Sequence, residues 1–174
     1  MQALYVASLL VLAAPPEEAG WPVFLQGAGP SVQAESLPLE WSPTENIAWR
    51  AALPGYGQSS PVIWRDKVFV TSVEGDEKET YHVVALALKD GRELWRKSFD
   101  ASVKVANSLY VSRAAPTPAV DDQHVYAFFE SGDVVALTHD GKRVWERSLA
   151  EEFGKFQAEF GLAASLAQDS ESIF

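Results

Sequence analysis

Apolar and polar residues alternate over several short windows of this chain, and the windows come in two copies. Residues 59–72, SSPVIWRDKVFVTS, read as two short apolar runs broken at Arg65-Asp66-Lys67. Residues 116–129, PTPAVDDQHVYAFF, read the same way and align without a gap: Pro61 falls on Pro118, Val68 on Val125 and Phe69 on Tyr126. Period-two alternation over a few residues predicts half-buried strands. Each pair is followed by a connection, VEGDEKET in the first copy and ESGD in the second, and then by a third run, YHVVALAL or VVALT. Asp90-Gly91 and Asp140-Gly141 interrupt the alternation, and a fourth run ends in Trp95 or Trp145. Asp-Gly between apolar alternations signals a hairpin, because the turn needs a positive φ that glycine adopts freely.

The unit is therefore four short antiparallel strands. A third tryptophan, Trp49, precedes the first unit, and the three lie 46 and 50 residues apart. Residues 165–174, SLAQDSESIF, align with TPAVDDQHVY and open a third unit. Four-stranded repeats of this length with a recurring aromatic predict an all-β chain, a partial β-propeller of antiparallel blades; a two-sheet sandwich with chance similarity is the competing reading. The organisation expected is 1–20 signal peptide, 21–58 N-terminal extension with the first Trp-bearing strand, 59–99 first blade repeat, 100–115 inter-blade loop, 116–149 second blade repeat, and 150–174 loop and start of a third repeat.

Composition narrows the function classes. The formal net charge is −10 over 174 residues, so no basic stripe exists for nucleic-acid phosphates or anionic lipid. There is no cysteine, which removes disulfides, thiolate chemistry and Cys-based metal sites. Residues 3–14, ALYVASLLVLAA, form an apolar run too short to span a bilayer but suited to a secretory signal. Export to the periplasm or outside the cell is expected, with no membrane span after signal removal.

The Trp-ended runs carry a family resemblance. Ala85, Gly91 and Trp95 match the spacing of the tryptophan-docking motif of quinoprotein-type propellers. Ala136, Gly141 and Trp145 match it with one residue fewer before the turn. The acidic residue usual two places after the alanine is Ala87 or Thr138, and the threonine usual before the glycine is Asp90 or Asp140. These departures look like the degenerate repeats of non-catalytic relatives. Nearly everything after residue 20 resembles the exported PQQ-binding-like β-propeller repeat proteins. The resemblance implies about seven or eight blades in a complete ring. The chain, with two complete units and partial ones, then reads as the N-terminal part of a longer propeller. It also implies that Ala85, Gly91, Trp95, Ala136, Gly141, Trp145 and Trp49 are structural staples between blades, a large ring facing a small residue.

No catalytic, cofactor-binding or metal site stands out. His82, His124 and His139 fall at a strand start and in two turns, and are expected at the surface or in turns. EGDEKE (74–79) lacks calcium-loop spacing and reads as a solvated hairpin tip. QGAGPS (26–31) has neither a following helix nor a lysine for a phosphate. Phe153, Phe156 and Phe160 have helical spacing, but Gly154 and Gly161 favour a loop. In a blade, the inter-unit connection and the loop between strands two and three emerge on one face. Tyr56, Asn107, Tyr110 and Arg113 mark a candidate binding face there, since long aromatic- and Arg-bearing loops are more often functional than not. The expected function is a non-catalytic binding scaffold for an envelope protein or an extended ligand, without cofactor. The alternative is part of a quinoprotein dehydrogenase oxidising alcohols or sugars with PQQ and calcium.

Overall fold

The computed structural model describes residues 20–26, 38–105, 114–157 and 161–174, and in it the two repeats are two four-stranded antiparallel sheets. The first is β1 (Val62–Trp64), β2 (Lys67–Glu74), β3 (Thr80–Ala87) and β4 (Glu93–Asp100). The second is β5 (Ala119–Val120), β6 (His124–Phe128), β7 (Asp133–Thr138) and β8 (Arg143–Ser148). Strands neighbour one another in chain order, as in propeller blades. The chain is a partial, unclosed β-propeller.

The registers coincide between copies. Val62, Phe69, Ala85 and Trp95 lie opposite one another across the first sheet, and Ala119, Tyr126, Ala136 and Trp145 across the second. The extra residue of the first copy is absorbed in the turn: the Gly91 N–H donates to the Ala87 carbonyl, whereas that of Gly141 donates to Thr138, one residue closer. Both glycines have positive φ, 71° and 78°. A register shift follows Ala85 in β3 and Ala136 in β7. It leaves Leu94 or Val144 unpaired just before the tryptophan. An extra residue of this kind raises local twist and re-aims the side chain beside it.

The main core lies between the sheets. Val62, Phe69, Val73, Tyr81 and Val83 of the first meet Val120, Val125, Ala127, Phe129 and Leu137 of the second. Tyr81 stacks on Phe129 with centroids 4.3 Å apart. A smaller cluster on the other face of the first sheet, Val68, Val70, Val84 and Leu86, is covered by Trp49, Ala51 and Ile63. Burial pushes the Tyr81 phenol up to about 12, with the Glu130 and Asp133 carboxylates acting in the same direction. The folded phenol loses its proton about two units above the unfolded one, so its contribution is intact below pH ~10 and is lost as pH rises through 12. Tyr81 should account for about 3 kcal/mol of the stability that the wild type loses over that window. Tyr81→Phe should flatten this limb in denaturant titrations at stepped pH, and an unchanged limb would contradict the assignment.

A third unit is present in outline. Ala167 and Phe174 exchange backbone hydrogen bonds of 3.0 and 2.8 Å, and Gln168 bridges Ile173. These pairs repeat Ala119–Tyr126 and Val120–Val125. The Asp169 carboxylate accepts from the N–H groups of Glu171 and Ser172, as Asp121 accepts from Gln123 and His124. The units are also stitched at one repeated position. The Ser60 N–H donates to Thr117 Oγ1 (3.1 Å), and the Thr117 N–H donates to Ser165 Oγ (3.1 Å). These three residues occupy the same place before each innermost strand. The hydroxyl position thus runs around the axis of the propeller, with β1 and β5 innermost.

Four expectations need correction. The Trp49 segment is not a strand: among the described residues it has no ladder partner, and its indole is held from the side instead. The EGDEKE connection is not a solvated tip throughout, because Lys78 is fully buried. His82 is also buried, inside β3, where Nδ1 lies 2.9 Å from Ser98 Oγ and Nε2 3.1 Å from Glu74. In addition, the segment expected as an inter-blade loop begins with a helical turn, α1 (Leu149–Phe153), capped by the Ser148 hydroxyl and ended at Gly154. Gly154 has φ 96°, which closes the turn before Phe156 can extend it.

Candidate functional site

The docking residues come together across blades rather than within one. Trp49 lies over Gly91, where an added Cβ would sit 2.3 Å from its Cε3, and its indole N–H donates to the Leu88 carbonyl (2.8 Å). Trp95 lies over Gly141 of the next blade, where a Cβ would sit 2.8 Å from its Cδ2, and donates to the His139 carbonyl (2.8 Å). Leu88 and His139 each stand three residues after the docking alanine. Ala85 and Ala136 are opposite Trp95 and Trp145 in their own sheets and fully buried. Trp145 sits 6.2 Å from Tyr126, as Trp95 sits 5.9 Å from Phe69, but its ring remains 36% exposed. His139 is wedged at this junction, 5.9 Å from Phe69 and 6.2 Å from Trp64.

The loop face is built on this frame. Tyr56 pairs its backbone with Val73 and donates its hydroxyl to the Gly75 carbonyl (3.3 Å), which joins the 53–58 and 74–79 loops. The Ala101 N–H donates to Glu79 and the Val105 N–H to Glu77, and the Lys104 ammonium lies 2.8 Å from the Glu77 carboxylate. Beneath them Lys78 reaches Glu130 of the next blade at 3.5 Å, both side chains fully buried. Buried charges persist only when paired, so the pair locks the two strand-two-to-three loops together. Ser102 bridges to the second blade through the Asp133 carboxylate and the Ser148 hydroxyl. Asn107, Tyr110 and Arg113 lie outside the described residues.

Phe153 and Phe156, expected only as part of an inter-blade loop, add aromatics to this face. Phe153 is 77% and Phe156 44% exposed. Phe156 meets Phe128 edge-on at 6.4 Å and lines a cavity of 240 Å³ together with Lys104, Glu130 and Lys155. Exposed aromatics beside cations on rigid loops are the composition of interaction hot spots. Their signal in the sequence is the helical spacing of Phe153 and Phe156, broken by Gly154. A groove of 670 Å³ between the outer strands carries Arg143 and Arg147, each paired with a carboxylate, Glu146 and Glu152. Those ion pairs are exposed and contribute little to stability.

A further cavity of 740 Å³ lies on the axial side, lined by Phe24, Gln58, Ser60, Thr117, Ser165 and Gln168 among others. The described lining offers hydroxyl, amide and apolar groups and no cation. A tricarboxylate quinone such as PQQ pairs with cations, so these residues do not fit it. Among the described residues no three His, Cys, Asp or Glu side chains gather as a metal set.

Known proteins agree with this architecture. The family described as outer membrane protein assembly factor BamB matches residues 32–169. The chain belongs to that family. No curated protein matches it. Among solved structures, BamB from Moraxella catarrhalis is similar at 19% identity and a TM-score of 0.49, with 72% of this chain and 36% of that one covered. The quinohemoprotein alcohol dehydrogenase ADHIIG from Pseudomonas putida HK5 is similar at 15% identity and a TM-score of 0.46, with 73% and 18% covered. The chain thus spans about a third of the BamB structure and under a fifth of the dehydrogenase. As a BamB-family chain it is a propeller repeat module. Among its described residues no helix is long and apolar enough to cross a membrane.

Proposed function

We propose that the chain is a non-catalytic binding module of the cell envelope, exported by its N-terminal apolar run, which holds a protein or an extended ligand on its loop face. One observation carries this reading: Phe153, at the end of α1, and Phe156, just after it, are exposed on a segment tied to the second blade by the Leu149 N–H to Gly132 carbonyl bond and to Ser102 by the Ser148 hydroxyl. Rigid exposed aromatics lose little conformational freedom on binding, so their contact area converts well into affinity. The description of the family, an assembly factor for outer membrane protein, is in keeping with a protein client.

The test is retention of envelope proteins by the immobilised chain. Phe153→Ala with Phe156→Ala, and separately Tyr110→Ala with Arg113→Ala, should each weaken retention about tenfold or more, the effect of losing roughly 1.4 kcal/mol or more at a hot spot. Unchanged retention in both would remove the loop face. A quinone absorbance band with calcium-dependent dye reduction would replace this reading with the PQQ dehydrogenase.

A further inference from the structure

The innermost strands carry an occupant from elsewhere in the chain. Trp21 and Ile63 exchange two backbone hydrogen bonds of 2.8 Å, and the Val120 N–H donates to the Pro22 carbonyl (2.9 Å). Residues 20–22 therefore extend along the axial edge of β1 and reach across to β5. A strand edge is a row of unpaired donors and acceptors ready to accept another extended chain. Proline is tolerated here because it lends only its carbonyl to the neighbouring strand.

The occupant is lightly held. At Trp21 and Pro22 three backbone hydrogen bonds join it to β1 and β5, against the eight residue pairs that join β2 to β3. The turn after it, Phe24–Gln26, leaves Leu25 67% exposed with a φ of 52°. A leucine in that region is strained by about 1–2 kcal/mol. The edge itself continues beyond the occupant. The 740 Å³ cavity runs from Pro22 and Phe24 along residues 163–168 of the third unit, so the track has room for a longer strand than residues 20–22 provide.

We propose that the axial edge of β1, β5 and the third unit is a receptor for an extended apolar segment of another protein, added as a strand, and that residues 20–26 occupy it in cis until displaced. This surface is separate from the loop face, and its recognition is by main-chain hydrogen bonding with apolar side chains into the adjoining cavity. A tethered occupant acts at an effective concentration near the millimolar range. It therefore masks the edge from a peptide offered in trans at micromolar concentration.

The experiment uses the full chain, wild type and Trp21→Pro, which removes the N–H donated to Ile63. The probe is a fluorescein-labelled peptide of the sequence GWPVFLQ, followed by anisotropy, with amide hydrogen exchange as the second readout. Trp21→Pro should bind the peptide at least about tenfold more tightly than wild type, since the cis competitor is weakened. The Ile63 and Val120 amides should exchange at least about tenfold faster in the variant, β2 and β3 amides should be unchanged, and saturating peptide should restore the slow rates. The proposal is overturned if the variant keeps its β2 and β3 protection but binds no peptide. Equally fast exchange of Ile63 and Val120 in wild type also overturns it. So does loss of β2 and β3 protection in the variant, which would make residues 20–26 part of the core and not a displaceable occupant.

Discussion

Replacing Trp95 by alanine is expected to destabilise the chain by about 3–5 kcal/mol, the range for removing a large packed aromatic. Three contacts disappear together: the stack over Gly141, the indole hydrogen bond to His139 and the flank against Phe69. The first two belong to the next blade, so the substitution loosens the sheet-to-sheet junction more than the sheet that carries it. Trp145→Ala is the internal control. It has the same place in its own sheet, but its ring is partly exposed, so about 1–2 kcal/mol is expected from the smaller area buried. Urea titrations of the two variants give the comparison. Equal losses would mean that the tryptophans act within their own blades.

Lys78→Met should cost about 3–5 kcal/mol, because it leaves the Glu130 carboxylate buried beside an apolar group. Glu130→Leu alone should cost a similar amount, through a buried ammonium. The double variant should recover more than half of the summed loss, since a well-packed apolar pair commonly replaces a buried ion pair at little net cost. A double-mutant cycle by chemical denaturation measures this directly. Additive losses would show that the two residues act independently. The cycle also bears on function, since the pair joins the two strand-two-to-three loops of the proposed face.

The sheets were legible because their information is local. Short apolar runs at Val68–Phe69–Val70 and Val83–Val84–Ala85, bounded by polar turns with Asp-Gly before the last strand, specify a blade without reference to its neighbour. Gap-free alignment made the third unit legible as well, down to the Asp169 turn that copies Asp121. What failed depends on partners distant in sequence. Lys78 sits in an acidic run that reads as solvent-facing, yet it is buried against Glu130 of the neighbouring blade, far along the chain. His82 looks like an ordinary strand start, yet Glu74 and Ser98 enclose it from two flanking strands. Trp49 carries the repeat's tryptophan without the repeat's strand, because no ladder partner for its segment is described. The axial occupancy by Trp21 and Pro22 had no periodicity to announce it: two residues are too few for a pattern. Of the candidate face, Tyr56 is placed beside Gly75 as its loop position implied, while Phe153 and Phe156 emerged only once Gly154 was seen to end the helix.

The central claim is that Trp49 and Trp95 each dock on the glycine turn of the blade that follows them. Proton NMR of the Gly91 and Gly141 Hα atoms tests it most directly, because a proton held over an indole face is shifted upfield and returns when the ring is removed. The account predicts a crossed result: Trp49→Leu releases the Gly91 shift alone, and Trp95→Leu releases the Gly141 shift alone while Gly91 stays in place. If Trp95→Leu instead moved Gly91, the tryptophan would dock within its own blade, and the arrangement of consecutive blades described above would be contradicted.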